Sequence, residues 1–317
     1  NMSSFTISLD FELYWGVSDS RNFLSYKENI NGAWKAIPKI LELFVKYKIH
    51  ATWATVGLLM HKDYEELETF FQKSVNTEYT NNLVNKLEPL IKKYPNAFFA
   101  KELVKKIKDT PGQEIATHTY SHLFCDNLSI SEKEFLTDIE FAIDIANKMN
   151  IKLETIVFPR NQVNKNYFNS IKKLGFKSFR DNPEHKIYKS GHENPFGMVG
   201  RLIRLLNAYL PLLQNKYFLH KYSSKDKESI KASFFLRPWS KMFSFLEFLK
   251  IVRIKRLMTK AAKNKLNFHL WWHPHNFGSN LYQNISNLEK ILIHYQHLKL
   301  VYGLESCSMI DIYRSTK

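Results

Sequence analysis

Short apolar runs of β type alternate with helical patterns along most of this chain. Strands are predicted at 5–10, 51–57, 114–118, 154–158, 176–180, 267–273 and 299–302. Helices are predicted at 30–47, 131–150, 164–174, 281–297 and 305–313. Seven strands that are each followed by a helix favour parallel strands with right-handed crossovers, which is typical of a barrel or of an open doubly wound sheet.

Two long segments interrupt this alternation. Residues 61–112 have a helical and polar pattern, and residues 183–265 form a strongly basic segment. Neither internal repeats nor a low-complexity linker divide the chain. We therefore expect a single domain over 1–317 with two insertions, at about 61–112 and 183–265.

Polar residues follow the ends of five predicted strands. Parallel α/β enzymes collect their chemistry in the loops at the carboxyl ends of the strands, so we expect these residues to meet on one rim. They are Asp10 and Glu12; His118 and His122; Arg160 and Asn161; Arg180, Asp181 and Asn182; and His273, His275 and Asn276.

This rim contains the donors of a metal site. His118 and His122 lie four residues apart and can direct two imidazoles at one point, while Asp10 and Glu12 add carboxylates. Two neutral imidazoles, one carboxylate and open positions for solvent suit a divalent ion that activates water. A non-haem iron oxygenase uses similar ligands, but in its His-x-[Asp/Glu]…His order the acid follows the first histidine, whereas here a distant N-terminal acid precedes His118 and His122. The histidine spacing taken alone is a weak signal. The alternative for the two carboxylates is that they simply cap the following segment.

From residue 5 to about residue 302 the chain resembles the polysaccharide deacetylase family, the NodB-homology group of carbohydrate esterases. The family motif His-[Ser/Thr]-x-x-His is matched from His118 to His122. The resemblance implies that Asp10 is the base. Since Phe11 replaces the usual second aspartate, Glu12 becomes the metal carboxylate. The family fold, a distorted (β/α)7 barrel, here with two helical insertions, is the expected fold class.

Three further motifs of the family are matched less closely. The third supplies an arginine that pairs with the base, and Arg160 takes that position although the neighbouring proline order is altered. The fifth ends its strand in a histidine, which corresponds to the segment from Leu270 to His273. The fourth is usually an Asp-Trp pair whose aspartate orients that histidine, and Asp181 is its candidate here.

The resemblance implies a metal-dependent hydrolase that removes an N-acyl group from an amino sugar. The ion, expected to be Zn²⁺, would activate water and polarise the amide carbonyl. Asp10 would accept the proton of that water and would be kept ionised by Arg160. His273 would protonate the departing amine, and Asp181 would hold the His273 imidazole in the correct tautomer. His275 is the alternative acid. Structural roles for Arg160, as an ion-pair partner, and for His273 remain open at this point.

Polar and aromatic residues beside the catalytic segments are candidates for contacts with the sugar. We expect the aromatic rings either to stack on the sugar or to belong to the core. The substrate-binding candidates are Tyr14, Trp15, Asn161, Trp272 and His275, with Trp271 as a further flanking ring.

The net charge of +16 is concentrated in the second insertion. From 201 to 265 there are 16 lysines and arginines against three acidic residues, an excess of 13. Residues 244–263 place apolar side chains at helical spacing with cations between them. This segment is either a core-packed helix with a solvated basic face, or a surface for anionic lipid headgroups or a diphosphate-bearing substrate. Nucleic acid is not expected as a partner, because no helix-turn-helix, zinc finger or RNA-binding motif is present.

The remaining signals concern the location of the protein. Two cysteines, Cys125 and Cys307, imply no disulfide framework and fit a reducing compartment. No apolar run approaches the roughly 20 residues of a membrane span, and no secretory signal precedes the first strand. We expect a cytoplasmic protein, peripheral to the inner membrane if the basic segment binds lipid.

A cytoplasmic location favours substrates from surface-polysaccharide or O-antigen biosynthesis over finished wall polymers. We therefore expect an N-acetylated amino sugar that is linked either to a nucleotide or to a lipid diphosphate. One alternative is an N-formyl-sugar deformylase of the same fold. The alternative from another class is a non-catalytic basic protein that binds a membrane surface or nucleic acid.

Overall fold

A computed structural model describes residues 3–73, 75–126, 130–188 and 197–316. The strands are β1 (Ser4–Phe11), β2 (Ala51–Thr55), β3 (Gln113–Thr117), β4 (Thr155–Ile156), β5 (Ser178–Asp181), β6 (Ser229–Lys231), β7 (Phe234–Phe235), β8 (Asn267–Trp272) and β9 (Glu305–Ser306). The α-helices are α1 (Phe23–Tyr47), α2 (Tyr64–Gln72), α3 (Glu78–Lys93), α4 (Lys101–Asp109), α5 (Glu132–Lys148), α6 (Lys165–Ile171), α7 (Gly197–Asn207), α8 (Glu247–Asn264), α9 (Leu281–Tyr302) and α10 (Met309–Ser315).

The strands form one curled parallel sheet in the order β6-β5-β4-β3-β2-β1-β8-β7, with β9 paired to β1. The short strands β6 and β7 are nearly continuous and pass from the edge of β5 to the edge of β8. Between them, the Ala232 amide donates to the Asp181 carbonyl, and the Ser233 amide donates to the His269 carbonyl. The segment therefore links the two ends of the sheet. The predicted distorted (β/α)7 barrel is confirmed.

Strand β1 has an apolar outer face and a polar inner face, as side-chain alternation along a strand allows. On the outer face, the Phe5 ring packs 5.6 Å from that of Tyr295 on α9. On the inner face, the Ser8 hydroxyl lies 2.8 Å from His269 Nε2, and the buried Asp10 follows two residues later. The interior of the sheet is therefore polar near the carboxyl ends of the strands. This polarity is what allows charged groups to be placed there.

Two features of the sequence-based prediction are wrong. The predicted strand at 299–302 is the last turn of α9, and the chain pairs with β1 only afterwards, at β9. The second insertion is not purely helical, because it contains β6 and β7. The first insertion is helical as predicted and forms α2, α3 and α4. Among the described residues, no helix combines the length and the apolar character needed to cross a membrane.

The first turns of α8 do not have the predicted arrangement of a core-packed apolar face and a solvated basic face. Lys250 and Arg253 are buried, whereas Phe248 is 73% exposed. Lys250 pairs with Glu247 at 2.7 Å. The Arg253 guanidinium donates to the carbonyls of Asn207 and Leu210. Arg253 therefore ties α8 to the end of α7 and the turn after it, and Lys250 donates to the Arg237 carbonyl, so neither cation belongs to a free basic face.

Candidate metal centre and active site

Glu12, His118 and His122 come together at the carboxyl ends of β1 and β3. Their ligand atoms all lie within 4.8 Å of one another, and all three residues are buried. Glu12 Oε2 is 3.3 Å from His118 Nε2 and 3.0 Å from His122 Nε2. The three predicted metal ligands thus point their donor atoms at a common point.

The second nitrogen of His118 fixes the direction of the ring. His118 Nδ1 is 2.7 Å from the carbonyl oxygen of Val157, next to β4. A carbonyl can only accept, so Nδ1 carries the proton and Nε2 keeps its lone pair toward Glu12. Such a carbonyl contact is the usual outer support of a metal-binding histidine. Burial also lowers the pKa of His122, although Glu12 opposes this lowering, and the neutral form is the one that binds metal. This donor set fits a divalent ion.

The loop between the two histidines has a strained backbone that its neighbours hold in place. Thr119 and His122 have φ values of 61° and 55°, a region that side chains other than glycine seldom adopt. The buried Asp138 carboxylate of α5 accepts the amides of Tyr120 and Ser121 at 2.6 and 3.1 Å. Burial raises the pKa of Asp138 to about 6. This loop support was not predicted from the sequence, because Asp138 lies on a helix far from the motif.

Glu12 is held between a glycine and the histidines. A Cβ atom on Gly16 would overlap the Glu12 carboxyl, so the absence of a side chain there lets the carboxylate take its position. Burial favours the protonated acid, but His273 and His122 outweigh it and hold the pKa of Glu12 well below its usual range. The carboxylate is therefore ionised and available to a cation.

Asp10 lies beside this centre and is paired with Arg180, not with Arg160. Arg180 Nη1 and Nη2 contact the two Asp10 carboxylate oxygens at 2.6 and 2.7 Å, a bidentate pair in which both residues are buried. Burial would raise the pKa of Asp10, but Arg180 outweighs it and keeps the pKa below its usual value. Arg180 also donates to Ser8 Oγ and Asn161 Oδ1, each at 3.0 Å.

The expected pairing of Arg160 with the base is therefore wrong. The exposed Arg160 pairs with Asp19, and its guanidinium lies 4.6 Å from the centre of the Phe124 ring. Its φ of 57° places it in a left-handed turn after β4. Arg180 reaches the base because it lies within β5 and faces the polar interior.

His273 follows β8 and faces both carboxylates. Its Nε2 lies 3.7 Å from Asp10 Oδ2 and 3.5 Å from Glu12 Oε1, and its side chain is 24% exposed. The expected contact with Asp181 is contradicted, because that carboxylate accepts from the Ser229 hydroxyl at 2.7 Å and pairs with Lys165 at 3.5 Å. Asp181 follows Arg180 on β5, so strand alternation turns it to the opposite face.

Several predicted sugar contacts belong to the core. Tyr14 donates its hydroxyl to the Arg21 carbonyl, and Trp15 donates its indole N–H to the Phe98 carbonyl at 2.7 Å. Trp272 is fully buried and stacks on Phe277. These three rings are therefore not free to stack on a sugar.

His275 is buried as well, and burial lowers its pKa to about 3. Asn161, by contrast, remains at the site beside Arg180. Trp271 is half-buried, and its ring lies 4.4 Å from the Arg180 guanidinium and 5.8 Å from the His273 ring. Of the candidates, Asn161 and Trp271 line open space next to His273.

Sequence reasoning assigned no role to Arg180, Ser8 or His269, which form a buried network behind Asp10. The available signal was the alternation along β1, in which polar residues at 6, 8 and 10 interrupt an apolar strand. A polar face on a buried strand indicates a functional interior. It does not name the partners that other strands bring to it.

Comparison with known proteins finds a family that part of this chain resembles. Residues 31–179 match the family model of the polysaccharide deacetylases; this span includes His118 and His122. A protein described as a polysaccharide deacetylase from Mycobacterium smegmatis has a similar fold, with a TM-score of 0.54, 10% identity and coverage of 99% of this chain and 90% of that chain. No curated protein matches the chain significantly.

Two further solved structures share the fold. The PuuE allantoinase has a TM-score of 0.52 at 13% identity, covering 98% of this chain and 88% of its own. The 4-α-glucanotransferase from Thermococcus litoralis has a TM-score of 0.56 at 10% identity, covering 100% of this chain and 41% of its own. At such identities these likenesses concern the fold alone. The family model confirms, over residues 31–179, the resemblance to the polysaccharide deacetylases that the motifs indicate.

Proposed function

We propose that the protein is a metal-dependent hydrolase that removes the N-acetyl group from an amino sugar. One observation carries this proposal. An ionised carboxylate, Asp10, is locked by Arg180 beside the three-ligand cluster, and His273 faces the same space. The match of residues 31–179 to the polysaccharide deacetylase model supports hydrolysis of an acetyl group as the reaction type.

Glu12, His118 and His122 would hold the ion, and zinc suits two imidazoles and a carboxylate. When bound, the ion lowers the pKa of water from about 15.7 toward 7 and polarises a carbonyl. The side chains of the protein supply the proton transfers. Asp10 accepts a proton from the attacking water because Arg180 keeps it ionised.

His273 is the candidate acid in this proposal. The water oxygen adds to the amide carbonyl carbon, the C–N bond breaks, and the nitrogen leaves as an amine that needs a proton. His273 is partly exposed and lies within 3.7 Å of Asp10, so it can receive a proton on one side and face a substrate on the other. His275 does not suit this role, because it is buried in the turn behind His273.

We further propose that the substrate is an intermediate of surface-polysaccharide assembly, carried by a nucleotide or a lipid at the cytoplasmic face of the inner membrane. Exposed apolar side chains on two elements support contact with a membrane. On α7, Met198 and Val199 are 84% and 63% exposed, and before α8, Met242 and Phe245 are 75% and 76% exposed. The exposed cations of α8, which are Arg256, Lys260 and Lys263, complement anionic headgroups. Replacing Phe245 and Phe248 with serine should reduce binding to anionic vesicles, and unchanged binding would contradict this contact.

The enzymatic proposal is tested by the release of free amine from a panel of N-acetylhexosamines. The sugars are presented free, on a nucleoside diphosphate and on a lipid diphosphate, each beside its N-formyl counterpart. We expect zinc-dependent release from at least one N-acetyl substrate, in preference to its N-formyl form. Preference for N-formyl would make the protein a deformylase. Release from none of them, with metal bound, would refute hydrolysis and favour a non-catalytic role.

A further inference from the structure

A cavity of about 550 Å³ opens beside the catalytic rim, a volume typical of small-molecule sites. Its inner end is formed by Asn161, Trp271 and His273, so it is continuous with the proposed active site. Its outer wall comes from the second insertion, through α7 and the segment that follows β7. A substrate bound at His273 would therefore extend into this cavity.

The outer wall is lined by cations. Arg201 and Arg204 come from α7, and Arg237 follows β7. We call this part of the cavity the arginine pocket, defined by these three residues. No carboxylate lines the cavity within the described part of the chain, and none of the three arginines forms an ion pair with another described residue. Arg160, which also lines the cavity, is already paired with Asp19.

The three arginines also act on one another. Burial lowers the pKa of Arg204; Tyr188 opposes this lowering, and the nearby Arg201 adds to it. Burial likewise lowers the pKa of Arg237, and Arg204 adds to that effect. Like charges gathered in a half-buried place without acids are unfavourable in the free protein. An anion in the pocket would relieve this repulsion, and arginine is the residue best shaped to bind phosphate oxygens in pairs.

Aromatic side chains lie between the arginines and His273. The Phe235 and Trp271 rings are 4.7 Å apart, and Phe235 lies 5.9 Å from the His273 ring. Both rings are half-buried and line the cavity. A sugar ring can pack against such a wall with its amide toward His273, which leaves its anomeric substituent directed toward the arginines.

We propose that the arginine pocket binds the phosphate or diphosphate group that attaches the amino sugar to its carrier. This assignment rests on the proposed function for the identity of the sugar. The phosphoryl group is common to nucleotide and lipid carriers. The pocket would therefore favour carrier-linked sugars as substrates over neutral polymers, which have no phosphoryl group for the arginines to bind.

The first test measures binding without catalysis. Inorganic pyrophosphate is titrated by calorimetry into the His118→Ala protein, in which it cannot simply chelate an active-site ion. We expect binding that weakens by about 10- to 100-fold in the added Arg201→Gln/Arg237→Gln pair, since each lost charged contact costs about 10-fold. Arg256→Gln is the matched control, because Arg256 is exposed on α8 outside the cavity, and it should change nothing.

Arg201 is exposed, so Arg201→Gln alone keeps the test usable if the pair fails to fold, with an expected loss of about 10-fold. No pyrophosphate binding by the parent, or equal binding by the pocket variants, would overturn the assignment. Competition with uridine diphosphate and with a short-chain isoprenyl diphosphate then distinguishes the carriers, because the tighter competitor identifies the source of the phosphoryl group.

The second test separates this site from the proposed reaction. With a diphosphate-linked N-acetylhexosamine, Arg201→Gln should raise KM about 10-fold with kcat little changed, and KM for the free sugar should stay the same. If no substrate releases amine while pyrophosphate binding still depends on the arginines, the proposed function fails and the pocket stands. If amine is released and KM is indifferent to the arginines, the pocket assignment fails alone.

Discussion

The catalytic rim and the arginine pocket are neighbours that handle charge in opposite ways. On the rim, every charged group has a partner within the protein: Arg180 holds Asp10, and the imidazoles of His118 and His122 face Glu12. In the pocket, Arg201, Arg204 and Arg237 have no carboxylate partner among the described residues. The rim is thus organised before anything binds, whereas the pocket is completed by an anion from outside. Substitutions on the rim should therefore act on kcat, and those in the pocket on KM.

The largest expected effect is that of Asp10→Asn. Loss of the base should lower kcat by about 10²–10⁴-fold, the usual range for an acid–base group. The metal should remain, because Asp10 is not one of the three clustered ligands. Steady-state kinetics and metal analysis on the same preparation check this. Near-normal turnover would show that Asp10 is not the base.

A second comparison sets Arg180 against Arg160. Arg180→Gln should lower kcat at neutral pH by about 10- to 100-fold, because Asp10 loses the guanidinium that opposes the effect of burial on its pKa. With that pKa raised, the acid side of the pH profile should move to higher pH. Arg160→Gln should leave the profile in place, since Arg160 pairs with Asp19. A shift in the Arg160 variant alone would restore the assignment made from the motif.

The smallest effect concerns stability. Burial lowers the pKa of His269 to about 3, so this histidine inside β8 is neutral in the folded protein. Because the unfolded chain binds its proton below about pH 6.5, stability should fall with decreasing pH by about 1.4 kcal/mol per unit from this residue. Urea unfolding between pH 7 and 5 should show a flatter dependence in His269→Asn than in the wild type.

His297→Asn, at an exposed site on α9, is the matched control for this measurement. It should keep the slope of the wild type. An equal slope in the His269 variant would mean that burial does not hold this ring neutral.

The metal cluster could be predicted from the sequence because its donors directly follow the strands. Glu12 comes one residue after β1, and His118 directly follows β3, so parallel pairing alone brings them to the same edge. The sheet could be predicted for the same reason, since apolar strands with alternating helices leave few topologies. The strands β6 and β7, with three and two residues, were too short to leave a pattern.

The partner of the base could not be predicted, because it depends on side-chain direction and not on position in the chain. Arg180 and Asp181 are adjacent, and the register of β5 decides which of them faces Asp10. The sequence likewise did not indicate that the aromatic residues beside the catalytic segments pack in the core. Trp15 lies in a 3₁₀ turn that directs it against Phe98, a contact between residues 83 positions apart. Packing of this kind is set by the whole fold.

The central claim, that Glu12, His118 and His122 form a metal centre, is tested most directly by metal content. Purified wild-type protein, loaded with zinc and desalted, should hold one divalent ion per chain by elemental analysis, and His118→Ala should hold none. His297→Ala, at the exposed position on α9, should keep the ion. Full stoichiometric metal in His118→Ala, or none in the wild type, would contradict the account.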